Sequence, residues 1–341
     1  VPTLPPVPKM LTQPAAQAAW ASRALMLGVA RAGAALVAVG EHGFILLSRD
    51  NGRSWSQVRA VPTSVTLTRV RFATPTEGWA IGHMGVVLHT VDGGATWTRV
   101  TDGAATARLA LARADALAAA APGDDTAATL RTGARQLVQD GPDKPLLALL
   151  ADEPGRVVAL GAFGTGVSVE GEPGRPASMI DRLGSAAGLH VYGIDEHAGT
   201  VYAAGEQGLL LRARRGEPFA PLQSPYKGTY FGVLALSADE VLVYGLRGSL
   251  YRSTDAGKTW ERVDSGTQQS ITSAIALADG SVLLGSQGGQ LLVSRDRGRS
   301  FGAYAQTPQP VADLAQAADG SIVVAGPRGV LRVGAAMKAG A

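Results

Sequence analysis

Apolar residues in this chain come in short bursts, and each burst follows a pair of glycines. The stretches GEHGFILLS (40–48), GHMGVVLHT (82–90) and GLRGSLYRS (245–253) share one frame, Gly-x-x-Gly and then an apolar run. GSQGGQLLVS (285–294) carries one extra turn residue, and GAFG (161–164), GEQGLLLR (205–212) and GPRGVLRV (326–333) repeat the frame. Runs this short, punctuated by glycine, predict strands joined by tight turns. The first glycines stand at 40, 82, 161, 205, 245, 285 and 326, at intervals of 42, 79, 44, 40, 40 and 41 residues. A period near 40 built from β-runs predicts an all-β, seven-bladed β-propeller, one four-stranded blade per unit.

Blade five shows the pattern most fully. Thr229–Ser237 reads as strand A, Val241–Gly245 as B, Ser249–Ser253 as C and Thr259–Val263 as D. Gly-x-x-Gly is then the B–C hairpin, where glycine supplies positive φ without a Cβ clash. A second motif occupies four of the C–D turns: SRDNGRSW (48–55), TVDGGATW (90–97), STDAGKTW (253–260) and SRDRGRSF (294–301). In these Asp-boxes Asp50, Asp92, Asp255 and Asp296 are placed to accept backbone N–H bonds and close an Asx-type turn. Gly52, Gly94, Gly257 and Gly298 take the left-handed conformation, and Trp55, Trp97, Trp260 and Phe301 lead strand D and pack beside the turn. These roles are structural and need no ligand. Blades three, four and seven lack the box, and Arg215 stands where blade four would need Asp.

The one long interval marks an insertion. AATARLALARADALAAAA (104–121) is rich in strong helix formers, and Pro122 and Gly123 break it. Asp124 or Asp125 can cap a second helix whose Ala127, Leu130, Ala134, Leu137 and Val138 share a face, with Gly141 and Pro142 ending it. The prediction is an α-helical hairpin, 104–141, between strand D of blade two and a strand A beginning near Leu146. In a propeller the D–A connections and B–C turns emerge on one face, the A–B and C–D turns on the other. The hairpin therefore shares a face with His42, His83, Arg247 and Arg328, and with them its own Arg131 and Arg135 become candidate partner-binding residues. The competing expectation is a lid that only covers apolar side chains. The prolines of 1–24 set that segment apart from the propeller, 25–333, and 334–341 is a tail. The last unit shows only three strands, Val311–Ala317, Ile322–Gly326 and Val330–Val333, so part of Leu4–Trp20 is expected to pair there and close the ring.

Composition narrows the chemistry. Net charge is only +3, without a concentrated basic stripe, which argues against nucleic acid. No apolar run reaches 18 residues, so no transmembrane helix is expected. Cysteine is absent, which removes disulfides, thiolate metal sites and thiol catalysis. The chain begins at Val1, consistent with a trimmed signal peptide. His42 and His83, on adjacent blades, lack an evident third ligand, so no metal and no cofactor is expected. GAFGTG (161–166) has no following Lys-Ser/Thr and is not a phosphate loop. Arg49, Arg53, Arg212, Arg214, Arg215, Arg295, Arg297 and Arg299 gather on the box face, as a solvated rim or a docking surface for an acidic partner.

The lead-in TEGWAIG (76–82) with the repeated G-x-x-G…S/T-x-D-x-G-x-T/S-W frame resembles the photosystem II stability/assembly factor family of Asp-box propellers, over about residues 25–333. That resemblance implies a seven-bladed, non-enzymatic protein outside the cytoplasm that helps to assemble membrane complexes. The helical insert followed by GPDKPLLALL looks like the non-photosynthetic bacterial branch, whose genes neighbour transporters of the resistance-nodulation-division (RND) type. It implies a periplasmic scaffold or accessory protein for such a transporter, without enzymatic activity. The alternatives are a sialidase-like glycan hydrolase or a carbohydrate-binding propeller. The sialidase Arg-Ile-Pro signature is missing, and Tyr226, Tyr230 and Tyr251, the possible nucleophiles, have no Glu placed with them by a motif. Converging carboxylates or an Arg cluster at the central channel would favour the hydrolase, and aromatic residues at the channel mouth the carbohydrate binder.

Overall fold

A computed structural model describes residues 6–170, 178–179 and 188–334. Residues 1–5 of the Pro-rich segment and 335–341 of the tail lie outside the described residues. The repeats fold as seven antiparallel sheets in sequential strand order, six of four strands and a last one of three. The strands A are Met26–Ala32, Leu67–Phe72, Leu146–Leu150, Val191–His197, Tyr230–Ala235, Ile271–Ala276 and Asp313–Gln316. Each lies beside the strand A of the next blade, and the last lies beside the first, so the sheets close into a ring around a channel. A carboxylate locks the closure: Asp313 Oδ2 accepts the Val29 N–H at 3.1 Å.

The core lies between blades, where the two faces of neighbouring sheets meet. Val37, Val39 and Leu47 of blade one pack on Val70, Ala80 and Leu88 of blade two. Met26, Leu36 and Leu46 pack on Ala315, Val323 and Ala325 across the closure. Both faces of strands B and C are covered, which is why those runs are continuously apolar. Each fully buried Val or Leu contributes about 1.5–3 kcal/mol, so the summed inter-blade contacts outweigh any one turn.

The Gly-x-x-Gly turn departs from expectation at its first glycine. Gly40, Gly82, Gly161, Gly205 and Gly245 have φ between −160 and −179°, which is extended backbone. Glycine is required there because a Cβ would overlap the backbone carbonyl just before strand A, that of Leu25 at Gly40 and of Thr66 at Gly82. Positive φ falls instead on the last two turn positions, for example His42 (55°) and Gly43 (70°). Strand D is also shorter than predicted: in blade five it is Glu261–Arg262, not Thr259–Val263, and strand A is Tyr230–Ala235.

A short helix, α1 (Lys9–Thr12), precedes the ring. The insertion forms the expected hairpin, α2 (Gly103–Ala120) and α3 (Asp125–Asp140). Asp102 caps α2 through the Ala105 N–H at 2.9 Å, and Asp124 caps α3 through Thr126 at 2.8 Å. Ala107 and Ala114 meet Ala127 and Ala134, pairs spaced seven residues apart, so the seam is narrow. Leu137 and Val138 are half-buried, but Leu130 points away from the seam and is 50% exposed.

The described part of Leu4–Trp20 does not add a strand to blade seven. It crosses blades one and two: Ser64 N donates to Met10 O, Ala15 N to Val61 O, and Ala18 N to Gln57 Oε1. Leu11 is buried with Val61 and Val65, and Arg99 donates to its carbonyl. The anchor is that one apolar side chain, and the prolines are tolerated because the segment has no ladder to complete. Blade seven's strand C (Gly329–Val333) instead meets a 3-10 turn, Ala21–Arg23. A Cβ on Gly329 would overlap the Ser22 carbonyl.

Candidate functional site

The two faces of the ring differ in chemistry. A–B and C–D turns share one face, joined by bonds such as Gly93 N to Thr76 O (2.8 Å) and Ala256 N to Asp239 O (2.9 Å). All four Asp-boxes lie there with one geometry. In blade two Asp92 Oδ1 accepts Thr90 Oγ1 (2.8 Å) and Thr96 N (2.9 Å), and Oδ2 accepts Thr96 Oγ1 (2.6 Å). Thr90 Oγ1 in turn accepts Gly94 N at 3.1 Å. Ser48–Asp50–Ser54, Ser253–Asp255–Thr259 and Ser294–Asp296–Ser300 repeat the set. Gly52, Gly94, Gly257 and Gly298 lie at φ 79–87°, and the residue before each is left-handed too, Asn51, Gly93, Ala256 and Arg297. The Ser54 hydroxyl and N–H hold the Asp50 carboxyl far below its usual range, and Thr259 brings Asp255 to about 2. Around Asp92 partial burial opposes the shift, but Thr96 and Thr90 outweigh it. The Trp97 indole donates to Gly94 O at 3.0 Å, whereas the Trp55 and Trp260 N–H groups are buried without a partner among the described residues.

Three of the eight arginines of this face form ion pairs among the described residues. Arg53 pairs with Asp319 (3.3 Å) and Arg297 with Glu240. Where blade four lacks a box, Arg215 binds Asp152 (2.9 Å), Glu196 (2.5 Å) and Glu153. Burial and a hydrogen bond to Glu196 push the Asp152 carboxyl up to about 6, so this pair keeps a proton well above the ordinary carboxylate range. Arg53, Arg215 and Arg297 are thus the intramolecularly paired members of a solvated rim.

The opposite face carries the B–C turns and the insert, whose base packs Gly103 against Gly85. His42, His83, Arg247 and Arg328 are all exposed on B–C turns of blades one, two, five and seven. His42 and His83 are not equivalent: His42 and Arg247 hold the left-handed third position of the turn, which Met84 holds in blade two. His42 lies in an aromatic group with Trp20 and Phe44, at 5.9 and 5.7 Å between ring centres. Arg131 is tied to Asp115 across the hairpin at 2.6 Å, and Arg135 is exposed. The six residues are brought to one side but form no single cluster. Among the described residues no group of three or more His, Asp or Glu could hold a metal, and no helix is long and apolar enough to cross a membrane.

What repeat reading missed is the apolar character of this face. Among the described residues eight large apolar side chains stand exposed: Leu109, Leu117 and Leu130 are on the insert and Phe163 is on the adjoining B–C turn. Val7 packs at the base of the insert, Met10 caps the D–A link after blade one, and Trp20 leans on His42. Among the described residues only Val91 of these belongs to the box face. Phe163, 53% exposed, begins a ladder of rings through His190 (4.7 Å), Tyr192 (6.1 Å) and Phe231 (5.8 Å), and Lys144 Nζ lies 5.5 Å above it. Glu206 holds His190 through Nδ1 at 2.9 Å. Tyr192 and Phe231 occupy the β-bulge of strand A, the position of Leu27, Thr68, Leu147 and Thr272 in other blades. Aligning the repeats by their glycines would have exposed this bulge position, which borders the channel at Tyr192, Phe231 and Thr272.

The channel itself is a cavity of about 580 Å³ lined by Arg69 and Arg71 of blade two, Asp195 of blade four, Tyr244 of blade five, Ser273 of blade six and Asp313 of blade seven. Asp313 is saturated by Arg71 Nη1 (3.2 Å), Ser273 Oγ (3.0 Å) and Val29 N. Its burial works to raise the carboxyl, but Arg71 and Arg69 prevail and hold it below the usual value. Asp195 accepts the Ala235 N–H at 2.8 Å, and burial pushes its carboxyl up to about 6. Tyr226, Tyr230 and Tyr251 are elsewhere, packed together between blades four and five. Tyr230 is fully buried with its hydroxyl 3.0 Å from Ser224, and burial raises its pKa, which makes it a poor nucleophile.

Residues 26–108 match the family model described as Photosynthesis system II assembly factor YCF48, and residues 251–262 match the BNR/Asp-box repeat. No curated protein matches the chain. Among solved structures, YCF48 from Cyanidioschyzon merolae superposes with a TM-score of 0.64 at 16% identity, over 95% of this chain and 98% of that one. A structure titled YCF48 bound to D1 peptide gives 0.66 at 15% identity, over 92% and 94%. The WD40 β-propeller domain of Doa1 gives 0.66 at 11% identity, over 96% and 97%. Because a WD40 propeller fits as well as YCF48, the superpositions establish the propeller fold, and the Asp-box sequence carries the likeness to the photosystem II assembly factors.

Proposed function

We propose that this chain is a non-catalytic binding scaffold that engages a partner polypeptide through the insert face. The observation that carries this reading is the segregation of exposed apolar side chains: all but one lie on that face or on the segment packed against it. Exposed apolar side chains gathered on one face in this way point to an interaction surface. The YCF48-like sequence of the first two blades and a similar propeller solved with a D1 peptide support binding as the activity. The partner we propose is a membrane protein complex, an RND-type transporter, reached from the periplasm. Affinity purification of the tagged chain from native membranes is expected to recover the transporter, and replacing residues 104–141 with a short linker is expected to abolish recovery. Undiminished recovery without the insert rules out this face. Cell fractionation tests the periplasmic location.

A second reading, a glycan hydrolase, rests on the arginines of the channel (Arg31, Arg69 and Arg71) and its carboxylates (Asp152, Asp195, Glu196 and Asp313). Asp313 is held by Arg71, Ser273 and Val29, and Asp152 and Glu196 are held by Arg215, which leaves Asp195 without a second free carboxylate for glycoside hydrolysis. Turnover of chromogenic glycosides that disappears in Asp195→Asn would replace the scaffold reading.

A further inference from the structure

We propose that the central channel is a binding site for a small organic carboxylate, with Arg69 and Arg71 receiving the carboxylate and the apolar channel wall receiving the ligand body. The site is independent of the insert face. Both guanidinium groups are fixed through one nitrogen only: Arg69 Nη1 bonds the carbonyls of Leu27 and Thr68, each at 3.1 Å, and Arg71 Nη1 bonds Val70 O and Asp313. Among the described residues Nε and Nη2 of both arginines have no hydrogen-bond partner. Those donors line a cavity of about 580 Å³, within the size range of small-molecule sites. Arg71 keeps 37% of its side chain open to the channel although it lies deep inside the ring. A planar fork of N–H donors on a rigid strand matches a carboxylate in geometry and charge.

The rest of the wall fits the same ligand. Phe231, Leu234 and Ile275, half-buried on the strands A of blades five and six, supply apolar surface, while Val29, Leu150, Ile194 and Val233 beside the channel are committed to the inter-blade cores. Tyr244 reaches over Gly232, where any Cβ would overlap its ring, and so presents its hydroxyl to the same space. Of the four carboxylates that line the cavity, Asp313 is bridged to Arg71, and Asp152 and Glu196 to Arg215, which among the described residues leaves Asp195 as the one without an ion-pair partner to oppose an anion. Burial holds its proton up to about pH 6, and once protonated it becomes a donor to a ligand oxygen. Arg69, Arg71, Asp152, Tyr244 and Asp313 from other blades, and Glu196 beside it on its own strand, are charged and titratable groups that share its cavity.

The test is calorimetric titration of the full chain with benzoate, with benzyl alcohol as the neutral isostere and inorganic phosphate as the non-organic oxyanion. Benzoate is expected to bind and benzyl alcohol not to. Arg69→Gln, which leaves the Arg71–Asp313 bridge intact, is expected to weaken binding at least about tenfold. Tyr244→Phe, which removes one hydroxyl, is expected to weaken it about threefold. Binding is expected to tighten on going from about pH 8 to about pH 5.5, a dependence lost in Asp195→Asn. Thermal melts confirm that each variant folds. Absence of benzoate binding, binding indifferent to Arg69→Gln in a folded variant, or phosphate binding as tightly as benzoate overturns the proposal.

Discussion

Blades two and four solve the same problem, fixing a C–D turn, by different physics. In blade two Asp92 accepts three short local bonds, Gly94 takes positive φ, and the Trp97 ring seals the turn. In blade four Arg215 reaches across to carboxylates of blade three and of its own strand A. The first device is short-range and neutral at its margins, and its donors lie within four residues of the Asp. The second depends on charges that are partly solvated and far apart in sequence. A local hydrogen-bonded turn costs little loop entropy and tolerates salt, whereas a solvated ion pair is screened. The contrast teaches that the box is one means of holding a blade, which is why three blades dispense with it.

The largest expected effect is at the buried ring. Trp97→Ala should destabilise by about 3–5 kcal/mol in denaturant unfolding, with an unchanged m-value, because it leaves a cavity between blades one and two. A loss below about 1 kcal/mol would show that the box tryptophan is not an inter-blade anchor.

The pH dependence separates the two devices next. Box carboxyls lie below their unfolded value, so the stability they confer is complete above about pH 4 and is lost as pH falls toward 2. Asp195, pushed up to about 6, acts in the opposite sense: its contribution is complete below about pH 4 and is lost as pH rises through 6. Together these groups place maximal stability between about pH 4 and 5. Asp195→Asn should flatten the alkaline side by on the order of 1–2 kcal/mol, since the channel partly solvates the group, and melts from acid to neutral pH check it. An unchanged slope would refute the assignment.

Smaller effects follow. Asp92→Ala should cost about 1–2 kcal/mol, the net value of a few hydrogen bonds at an exposed turn. Arg215→Ala should cost about 1 kcal/mol or less at low salt and less still in high salt, where Asp92→Ala should not change. Equal salt sensitivity of the two variants would erase the distinction drawn between the blades.

The legible parts of the molecule were those with short-range causes. The seven units, the box turns and the break at Pro122 and Gly123 each depend on residues a few positions apart. The role of the first glycine in Gly-x-x-Gly was misread because its constraint is tertiary: a carbonyl from the segment before strand A occupies the space a Cβ would need. Leu130 was assigned to the helix seam by periodicity, but a seam made of alanines is too narrow to reach it. The N-terminal segment follows Leu11 into a pocket of blades one and two, a contact that no local pattern announces.

By itself the chain's order of residues determined the wheel of seven units, the turn chemistry and the helical arm, because backbone conformation and turn closure answer to near neighbours. Only the tertiary structure decided which side chains meet. Ring closure brings Arg71 within 3.2 Å of Asp313, 242 residues away, and sets both around a channel with Asp195 and Tyr244. It also gathers the exposed apolar residues onto one face. Such assemblies depend on how the blades are ordered in space, and that order follows from inter-blade packing, which sequence spacing does not encode.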